Sequence, residues 1–206
     1  MKRYIYILLI CLAAITGTAQ TAQERQAIER ISRSAAAMKS MQADFVQTKH
    51  LKMLGEKMVS TGRMRYRQSD KLRWEYTSPY AYTFILNGNS VLMKKGNRSD
   101  VVDVNRNKMF REIARIMMSS VVGDCLTDKK SFKVSMTTAR NTCTATLIPQ
   151  KKELKAVFTR IVLTFDSRTS MVTKVTMYEK NGDRTEIVLK NAKANTAINA
   201  AEFAVK

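Results

Sequence analysis

The spacing of hydrophobic residues changes near residue 44, from every third or fourth position to every second position. Between residues 22 and 41 the apolar side chains follow helical spacing, and these are Ile28, Ile31, Ala35 and Met38. No glycine or proline interrupts this stretch. The pattern therefore predicts a helix from Ala22 to Met41, with one apolar stripe that must pack on another part of the protein.

From Asp44 onward, apolar and polar residues alternate in short runs, which is the pattern of β-strands with one buried face. Met64 and Tyr66, for example, alternate with Arg63 and Arg65. Ten predicted strands lie within residues 45–53, 57–67, 72–76, 82–86, 91–94, 132–136, 143–147, 161–165, 175–177 and 187–189. Residues 101–104, or a last strand near Phe203 and Val205, would bring the count to eleven.

Tight turns connect these runs. The Asn-Gly pairs at residues 87–88 and 181–182 are strong hairpin signals. Ten or eleven short strands joined in this way indicate an antiparallel sheet wrapped into a barrel or half-barrel. Because each strand has one apolar and one charged face, we expect the sheet to be covered on one side only.

A second helix is predicted for residues 107–121. Ile113, Ile116 and Met117 belong to its apolar stripe, and Gly123 is expected to end it. Two amphipathic helices are therefore available to cover the apolar face of the sheet. The chain has no repeat and no low-complexity linker, which favours a single domain.

The N-terminus has the order of a secretory signal peptide. Two basic residues precede an apolar run, Tyr4–Ile15, and small residues follow at 17–19. The run is too short to span a bilayer, and no later segment is long and apolar enough to do so. We therefore predict a signal peptide at residues 1–19 and one exported domain at residues 20–206.

The cysteines leave two questions open. Cys11 superficially resembles a lipid-attachment site, but Ile10 occupies the place where a small residue is required, which favours an ordinary cleaved signal. In an oxidising compartment Cys125 and Cys143 could form a disulfide. Cys143 alternates in phase with Ala145, however, and could instead be a small buried hydrophobic residue.

The charge balance indicates an anionic partner. The 206 residues contain 36 Lys and Arg against 17 Asp and Glu, for a formal net charge of +19. Removal of the signal peptide leaves about +17. Since an exported protein rarely meets nucleic acid, an acidic protein surface or an anionic membrane surface is the expected partner.

Residues suited to catalysis are scattered. His50 is the only histidine and lies on a basic strand, which is typical of a solvated residue. The sequence has no metal-ligand spacing, no G-x-S-x-G motif and no glycine-rich phosphate loop. We predict no enzyme activity, no metal and no cofactor. An enzyme acting on fatty substrates remains the alternative, because nucleophiles and bases meet in space and not in sequence.

Methionine and aromatic residues are concentrated on the predicted apolar faces. The chain has 13 methionines, and the segment Lys71–Gly88 holds its one tryptophan with four further aromatic residues. These side chains could simply fill a core. They could also line a deformable binding surface, since thioethers repack around guests of varied shape, such as acyl chains.

Three segments of the chain resemble the outer-membrane lipoprotein carrier family, the LolA-type periplasmic chaperones. They are ADFVQTK at residues 43–49, the stretch GRMRYRQSDKLRWEYTSPYAYTFILNGNSVLM at residues 62–93, and GDRTEIVLKNAKANTAINAAEFAV at residues 182–205. The most specific part is Leu72-Arg73-Trp74, followed by a proline and the Asn-Gly pair. The resemblance covers nearly all of the exported chain, and the matching segments follow one another in the order seen in the family.

The resemblance implies a mainly β fold with helices: an incomplete, strongly curved antiparallel barrel whose concave face is covered by helices. It implies a periplasmic monomer of a Gram-negative bacterium. Such a monomer takes lipoproteins by their acyl chains from an ATP-driven release complex of the inner membrane. It then delivers them to an outer-membrane acceptor.

The resemblance also implies a set of ligand-binding residues. The predicted set is Ile31, Met38, Phe45, Met64, Leu72, Trp74, Phe84, Leu86, Ile113, Ile116, Met117 and Leu163. Leu72 matches a position at the cavity mouth that accepts cargo. On that basis Leu72→Glu is predicted to impair handover more than folding.

One feature of the family pattern is altered. The family uses an arginine followed by proline, after the glycine-led strand, to latch the lid by hydrogen bonds. Here the stretch reads Arg67-Gln68-Ser69 without a proline, and strict spacing places Gln68 at the arginine's position. Arg67 could substitute only with a one-residue shift, which reverses its face of the strand.

Three other roles fit the same residues. The protein could carry another amphiphile, such as a glycolipid or a polyene pigment, because an apolar cavity selects by shape and hydrophobicity. It could be a regulator that senses lipid or lipoprotein on the same fold. It could also be a receptor variant anchored through Cys11.

Overall fold

The computed structural model describes residues 22–68, 70–106, 115–116, 118–120 and 122–205. Helix α1 (Ala22–Ala37) precedes the sheet, and a short helix α2 (Lys152–Lys155) lies near its other end. The strands are β1 (Ser40–Leu51), β2 (Glu56–Arg67), β3 (Lys71–Ser78), β4 (Tyr82–Asn87), β5 (Ser90–Lys95), β6 (Arg98–Asp103), β7 (Phe132–Thr138), β8 (Thr142–Pro149), β9 (Phe158–Asp166), β10 (Val172–Glu179) and β11 (Arg184–Ala194). Three 3-10 turns cover Val104–Arg106, Asp124–Thr127 and Ala200–Phe203.

The strands form one antiparallel sheet in the order β6-β5-β4-β3-β2-β1-β11-β10-β9-β8-β7. Within the described residues, the edge strands β6 and β7 pair with one neighbour each and not with one another. The barrel is therefore incomplete. The predicted fold class, an open antiparallel sheet with helices, is confirmed.

Cross-strand pairs explain why one face becomes the core. Met64 on β2 lies opposite Trp74 on β3, which in turn lies opposite Phe84 on β4. The same strands bring Tyr66 opposite Leu72. Because side chains on a strand alternate between faces, each of these matched pairs adds to one continuous apolar surface. All five side chains are buried in the main core.

The first helix ends earlier than its sequence pattern predicts. Helix α1 stops at Ala37, so Met41 belongs to β1 and not to the helix. Ser40 starts β1 opposite Arg67, and the backbone N–H of Lys39 donates to the side chain of Asn195 at 2.8 Å. Pairing with distant parts of the chain therefore overrides the local helical spacing.

The predicted last strand is wrong. Phe203 ends a 3-10 turn, and its side chain is fully buried against Ile85 and Leu92 on the outer face of the sheet. The expectation that only one face is covered is also wrong at this place. Three consecutive apolar residues, 84–86, are the sequence signal for a strand buried on both faces.

Hydrogen bonds and charges fasten this C-terminal segment to the sheet. The side chain of Asn87 donates to the backbone oxygen of Phe203 at 3.0 Å. The Glu202 carboxylate lies 3.6 Å from Arg65 and 3.7 Å from Arg73. The two arginines also flank Glu75, and the Arg73 hydrogen bond holds the pKa of that carboxyl below its usual value.

The second predicted helix is described in part. Residues 115–116, 118–120 and 122 are helical, and Gly123 follows with a φ of 89°, a left-handed conformation that suits glycine at a helix end. Ile113, Met117 and residues 1–21, with the predicted signal peptide and Cys11, lie outside the described residues. Across the part of the chain that is described, no helix is long and apolar enough to span a membrane.

Both remaining cysteines are buried as free thiols. Cys143 faces the core from β8, in phase with Ala145, as the sequence pattern predicts. Cys125 lies in the 3-10 turn before β7, where burial and then the nearby Asp124 raise the pKa of its thiol to about 12. The disulfide considered from the sequence is not formed.

These thiols are expected to resist alkylation in the folded protein. Burial keeps the reagent from both thiols, and because the thiolate is the reactive form, the pKa of about 12 slows the reaction of Cys125 further at pH 8. Mass spectrometry after iodoacetamide treatment should show no adduct on the native protein and two adducts on the exported chain unfolded in guanidinium. An adduct on the native protein would contradict the burial of these thiols.

Candidate functional site

An aromatic cluster stands at the centre of the concave face. The ring of Phe45 stacks on Trp74 with centroids 4.3 Å apart, and it meets Tyr76 edge-on at 5.2 Å. The Tyr76 hydroxyl donates to Gln47 Oε1 at 3.0 Å. The register of β1, β2 and β3 creates the cluster, because Gly62 lies between Phe45 and Tyr76 and leaves room for both rings.

One cavity, named cavity A, lies beside this cluster and has a volume of about 330 Å³. Its apolar lining consists of Trp74, Tyr76, Ile116, Val157, Phe158, Val175, Met177 and Ile187. Alternation along β10 and β11 turns Val175, Met177 and Ile187 toward the concave face. The volume falls within the range of about 300–1,000 Å³ that is usual for small-molecule sites.

Cavity A has a polar end. Lys49 Nζ lies 3.4 Å from Glu179 Oε2 and 3.8 Å from Asp183 Oδ2. The Thr185 hydroxyl donates to Glu179 Oε1 at 3.0 Å. These groups close an otherwise apolar space at one rim of the sheet, so the arrangement suits a molecule with a long apolar part and a polar end.

A second cavity, named cavity B, has a volume of about 390 Å³. Its lining includes Tyr66, Leu86, Val104, Met118, Val122 and Cys125, together with the polar groups Asp70, Arg115, Ser119, Asp124 and Asp128. It lies toward the turns that join β2 to β3 and β4 to β5. Burial raises the pKa of the Tyr66 phenol, so its hydroxyl stays neutral at physiological pH.

The described helical residues 115–116, 118–120 and 122 separate the two cavities. Ile116 and Ser120, four residues apart, line cavity A. Met118 and Val122, also four residues apart, line cavity B. Residues four apart share one face of a helix, so this segment presents a different face to each cavity. It is therefore a wall of both.

An arginine fastens this helical segment. Arg115 Nη1 donates to Asp128 Oδ2 at 2.7 Å, and its Nη2 donates to the Ser131 hydroxyl at 2.9 Å. Although burial acts in the opposite direction, hydrogen bonds from Ser131 and Arg115 hold the pKa of the Asp128 carboxyl below its usual value. Asp128 is therefore charged at neutral pH, and the contact with Arg115 is an ion pair.

Comparison with known families agrees with this geometry. The family model described as outer membrane lipoprotein carrier protein LolA matches residues 36–206. This chain belongs to the LolA family. The predicted family membership is thereby confirmed.

Curated relatives of the LolA-family chain match over almost their whole length at low identity. The outer-membrane lipoprotein carrier protein of Chromobacterium violaceum is 24% identical over 200 residues, which cover 97% of this chain and 92% of the relative. That of Pseudomonas fluorescens is 23% identical over 201 residues, covering 98% and 93%.

A solved structure shares the fold. The Pseudomonas aeruginosa MucA/MucB complex contains a chain that matches with a TM-score of 0.53 at 11% sequence identity. The match covers 90% of this LolA-family chain and 62% of the other. Identity this low shows a common fold and nothing further about activity.

The ten described members of the predicted ligand-binding set all lie in the main core of this LolA-family chain. Trp74 and Ile116 line cavity A, and Leu86 lines cavity B. Seven others belong to the same core but line neither cavity, and these are Ile31, Met38, Phe45, Met64, Leu72, Phe84 and Leu163. Their role in binding stays a prediction.

Leu72 is completely buried, between Tyr66 and Leu86 in the register of β2, β3 and β4. The structure places it in a wall and not at a cavity mouth. A glutamate here would bury a carboxylate among apolar groups, which destabilises the fold unless the group is neutralised. We therefore no longer expect Leu72→Glu to spare folding, and a residue that lines a cavity is a sharper test.

The predicted latch residues make no hydrogen bond to the described residues of the helical segment. Arg67 alternates with the inward-facing Tyr66 and so belongs to the outer face of β2. The backbone N–H of Gln68 donates to the Lys39 oxygen at 2.8 Å, and its side chain is exposed. Among the described residues of the helical segment, Arg115 donates the hydrogen bonds that fasten it to Asp128 and Ser131.

Sequence reasoning missed the polar end of cavity A. Lys49 continues the inward phase of Phe45 and Gln47 on β1, as Glu179 continues the phase of Met177 on β10. Polar residues that extend an apolar alternation were therefore the available signal. No such signal indicated that Val157 and Phe158 line cavity A, because their positions depend on how the segment between β8 and β9, which contains α2, packs on the sheet.

Proposed function

We propose that this chain is a periplasmic carrier that binds the acyl chains of lipoproteins and takes them from the inner to the outer membrane. Family membership and the names of the curated relatives support this role. In this proposal the carrier is residues 20–206, released from a signal peptide and acting as a monomer without enzymatic activity. An ATP-driven release complex loads it, and an outer-membrane acceptor unloads it.

The observation that supports the proposal best is the pair of cavities on either side of one helical wall. Cavity A is apolar along its length and polar at one rim, which matches an acyl chain attached to a polar polypeptide. Displacement of Ile116 and its neighbours would join cavity A to cavity B. The joined space would then accept more than one chain.

Binding of this kind must remain reversible. Each buried methylene contributes about 0.8 kcal/mol, so complete burial of several long chains would make release extremely slow. The two cavities are small, at about 330 and 390 Å³, and part of each chain would remain outside them. Met118 and Met177 add flexible walls that repack at little cost, so partial burial permits handover.

The one histidine of the chain belongs to a network of charged groups at the surface. His50 lies on the outer face, where its ring is 3.3 Å from Glu186 and 3.2 Å from Arg184. No group of three His, Cys, Asp or Glu side chains in the described residues could hold a metal ion. These contacts are those of a surface ion-pair network, which contributes modestly to stability.

The test is native mass spectrometry of the protein purified from the periplasm of a Gram-negative host. We expect acylated polypeptides to remain bound through their lipid. Free glycolipids or pigments in their place would assign the carrier to another amphiphile. A protein that is empty, and that also takes up no acylated peptide offered in detergent, would overturn the carrier role.

A further inference from the structure

The hairpin between β1 and β2 carries an unusual group of exposed apolar side chains. Met53 is 92% exposed and Leu54 is 66% exposed at the turn itself. Met58 and Val59, on the first part of β2, are 54% and 55% exposed. Four large apolar residues are thus presented to solvent within seven positions, which is a costly arrangement unless something covers them.

This hairpin protrudes beyond the neighbouring strand. The pairing of β2 with β3 stops where Thr61 meets Ser78, so the five residues from Glu56 to Ser60 pair with β1 alone. At about 3.4 Å per residue, the hairpin extends roughly 15 Å past the end of β3. On the β3 side the exposed residues therefore project freely, whereas on the other side β11 pairs with β1 as far as His50.

The projection has a fixed shape. The backbone N–H of Lys52 donates to Asp183 Oδ1 at 3.0 Å, and Asp183 is itself buried and bonded to Asn181 at 3.0 Å. Gly55 closes the turn with a φ of 65°, a conformation that favours glycine. The turn between β10 and β11 thus braces the hairpin, and Met53 and Leu54 are held outward.

Lysines lie on the projection and on the side where the turn between β10 and β11 braces it. The segments 52–57, 150–157 and 180–183 carry six lysines and three acidic residues. One of those acids, Asp183, is buried in the brace. The three segments are neighbours, because Lys180 N–H donates to the Val157 oxygen at 2.8 Å and Lys52 contacts Asp183. This rim therefore has a positive field with apolar side chains at its most prominent point.

The polar end of cavity A lies on the same rim. Lys49, which lines the polar end of cavity A, is directly opposite Met58 in the pairing of β1 with β2. Val157 and Glu179, which also line the cavity, adjoin the lysine-bearing segments. A surface that bound the hairpin would therefore lie beside the polar end of the cavity.

We propose that the β1–β2 hairpin docks this protein on an anionic lipid bilayer. Met53 and Leu54 enter the acyl region, and the rim lysines bind lipid phosphates. Projecting apolar side chains flanked by cations are complementary to a bilayer interface. An acidic protein would need a recess to receive the tip. The inference rests on the proposed carrier role, which it deepens by naming a membrane partner for the rim where cargo would leave.

The test places an environment-sensitive fluorophore on Met53→Cys in the full exported chain. Labelling is selective because Cys125 and Cys143 are buried. Vesicles of phosphatidylethanolamine with phosphatidylglycerol should shift the emission to the blue and carry the protein upward in a flotation gradient. Vesicles of phosphatidylcholine alone should do neither. Absence of the blue shift with the anionic vesicles would overturn insertion of the tip.

Matched variants test whether vesicle binding depends on this hairpin or on exposed apolar residues in general. Met53→Ser with Leu54→Ser should lower vesicle affinity at least tenfold, whereas Val101→Ser with Val188→Ser, exposed apolar residues elsewhere, should leave it unchanged. Lys52→Gln with Lys57→Gln should weaken binding and reduce its dependence on salt. Equal affinity of the first pair and the wild type would overturn the proposal, as would protection of the hairpin by an acidic protein but not by vesicles.

The vesicle-binding measurements require no cargo on the protein. Vesicle binding by a chain that carries no acylated polypeptide would leave the docking surface standing while the carrier role failed. Cargo binding without vesicle binding would overturn the docking surface and leave the carrier role intact.

Discussion

Replacement of Gly62 by alanine is expected to lower the free energy of unfolding by about 3 kcal/mol or more. A Cβ atom at this position would lie 2.5 Å from Cζ of Phe45 and closer still to the backbone oxygen of Glu75. The first contact forces the Phe45 ring out of its stack on Trp74. The second pushes apart the pairing of β2 with β3, because a backbone oxygen cannot rotate away.

The measurement is chemical denaturation followed by circular dichroism. Gly96→Ala is the matched control, because no atom lies within 4 Å of its added Cβ and its cost of about 1 kcal/mol comes from a positive φ of 58°. The larger effect should belong to Gly62, although its backbone φ is ordinary for any residue. Equal midpoints for the two variants would show that the aromatic cluster tolerates displacement.

Replacement of Met177 by tryptophan is expected to weaken the binding of a fluorescent fatty acid at least tenfold. Met177 is half-buried and lines cavity A beside Val175 and Ile187. An indole at this position would occupy much of a space of about 330 Å³. Because methionine is already flexible and partly exposed there, the fold should accept the larger side chain more readily than a closed core would.

Val188→Trp is the matched control for this experiment. Val188 follows Ile187 on β11 but points to the outer face, where it is exposed. The control should bind the fatty acid like the wild type, and both variants should keep their thermal midpoints within a few degrees. Unchanged binding by the stable Met177 variant would remove cavity A from the proposed site.

The sheet was predictable because its information is local and periodic. Met64 and Tyr66 alternate with arginines, and the Asn87-Gly88 pair marks a hairpin, so strand and turn follow from neighbours in sequence. The end of α1 was not predictable in this way. Ser40 joins a strand whose partners, Arg67 and Ala194, lie far along the chain. Helical spacing alone continued the helix too far.

The site was less predictable than the fold. A residue's apolar phase shows that it faces inward, as for Leu72 and Trp74 alike, but not whether it packs against protein or borders empty space. That distinction depends on how two parts of the chain pack on the sheet: the helical residues near Ile116, and the segment around α2 that ends near Val157. Both are packing outcomes without a period, so the sequence pattern could not separate wall from core.

The double-faced helical wall has a thermodynamic consequence. A guest in cavity A that displaces Ile116 also moves Met118, which faces cavity B from the same helical segment. The free energy needed to move the segment and to break the ion pair between Arg115 and Asp128 is then required only once, although both cavities are opened. A second chain would bind to space already opened, which is positive coupling between two sites. Partly filled molecules should consequently be rare, and the population should divide into empty and fully occupied carriers.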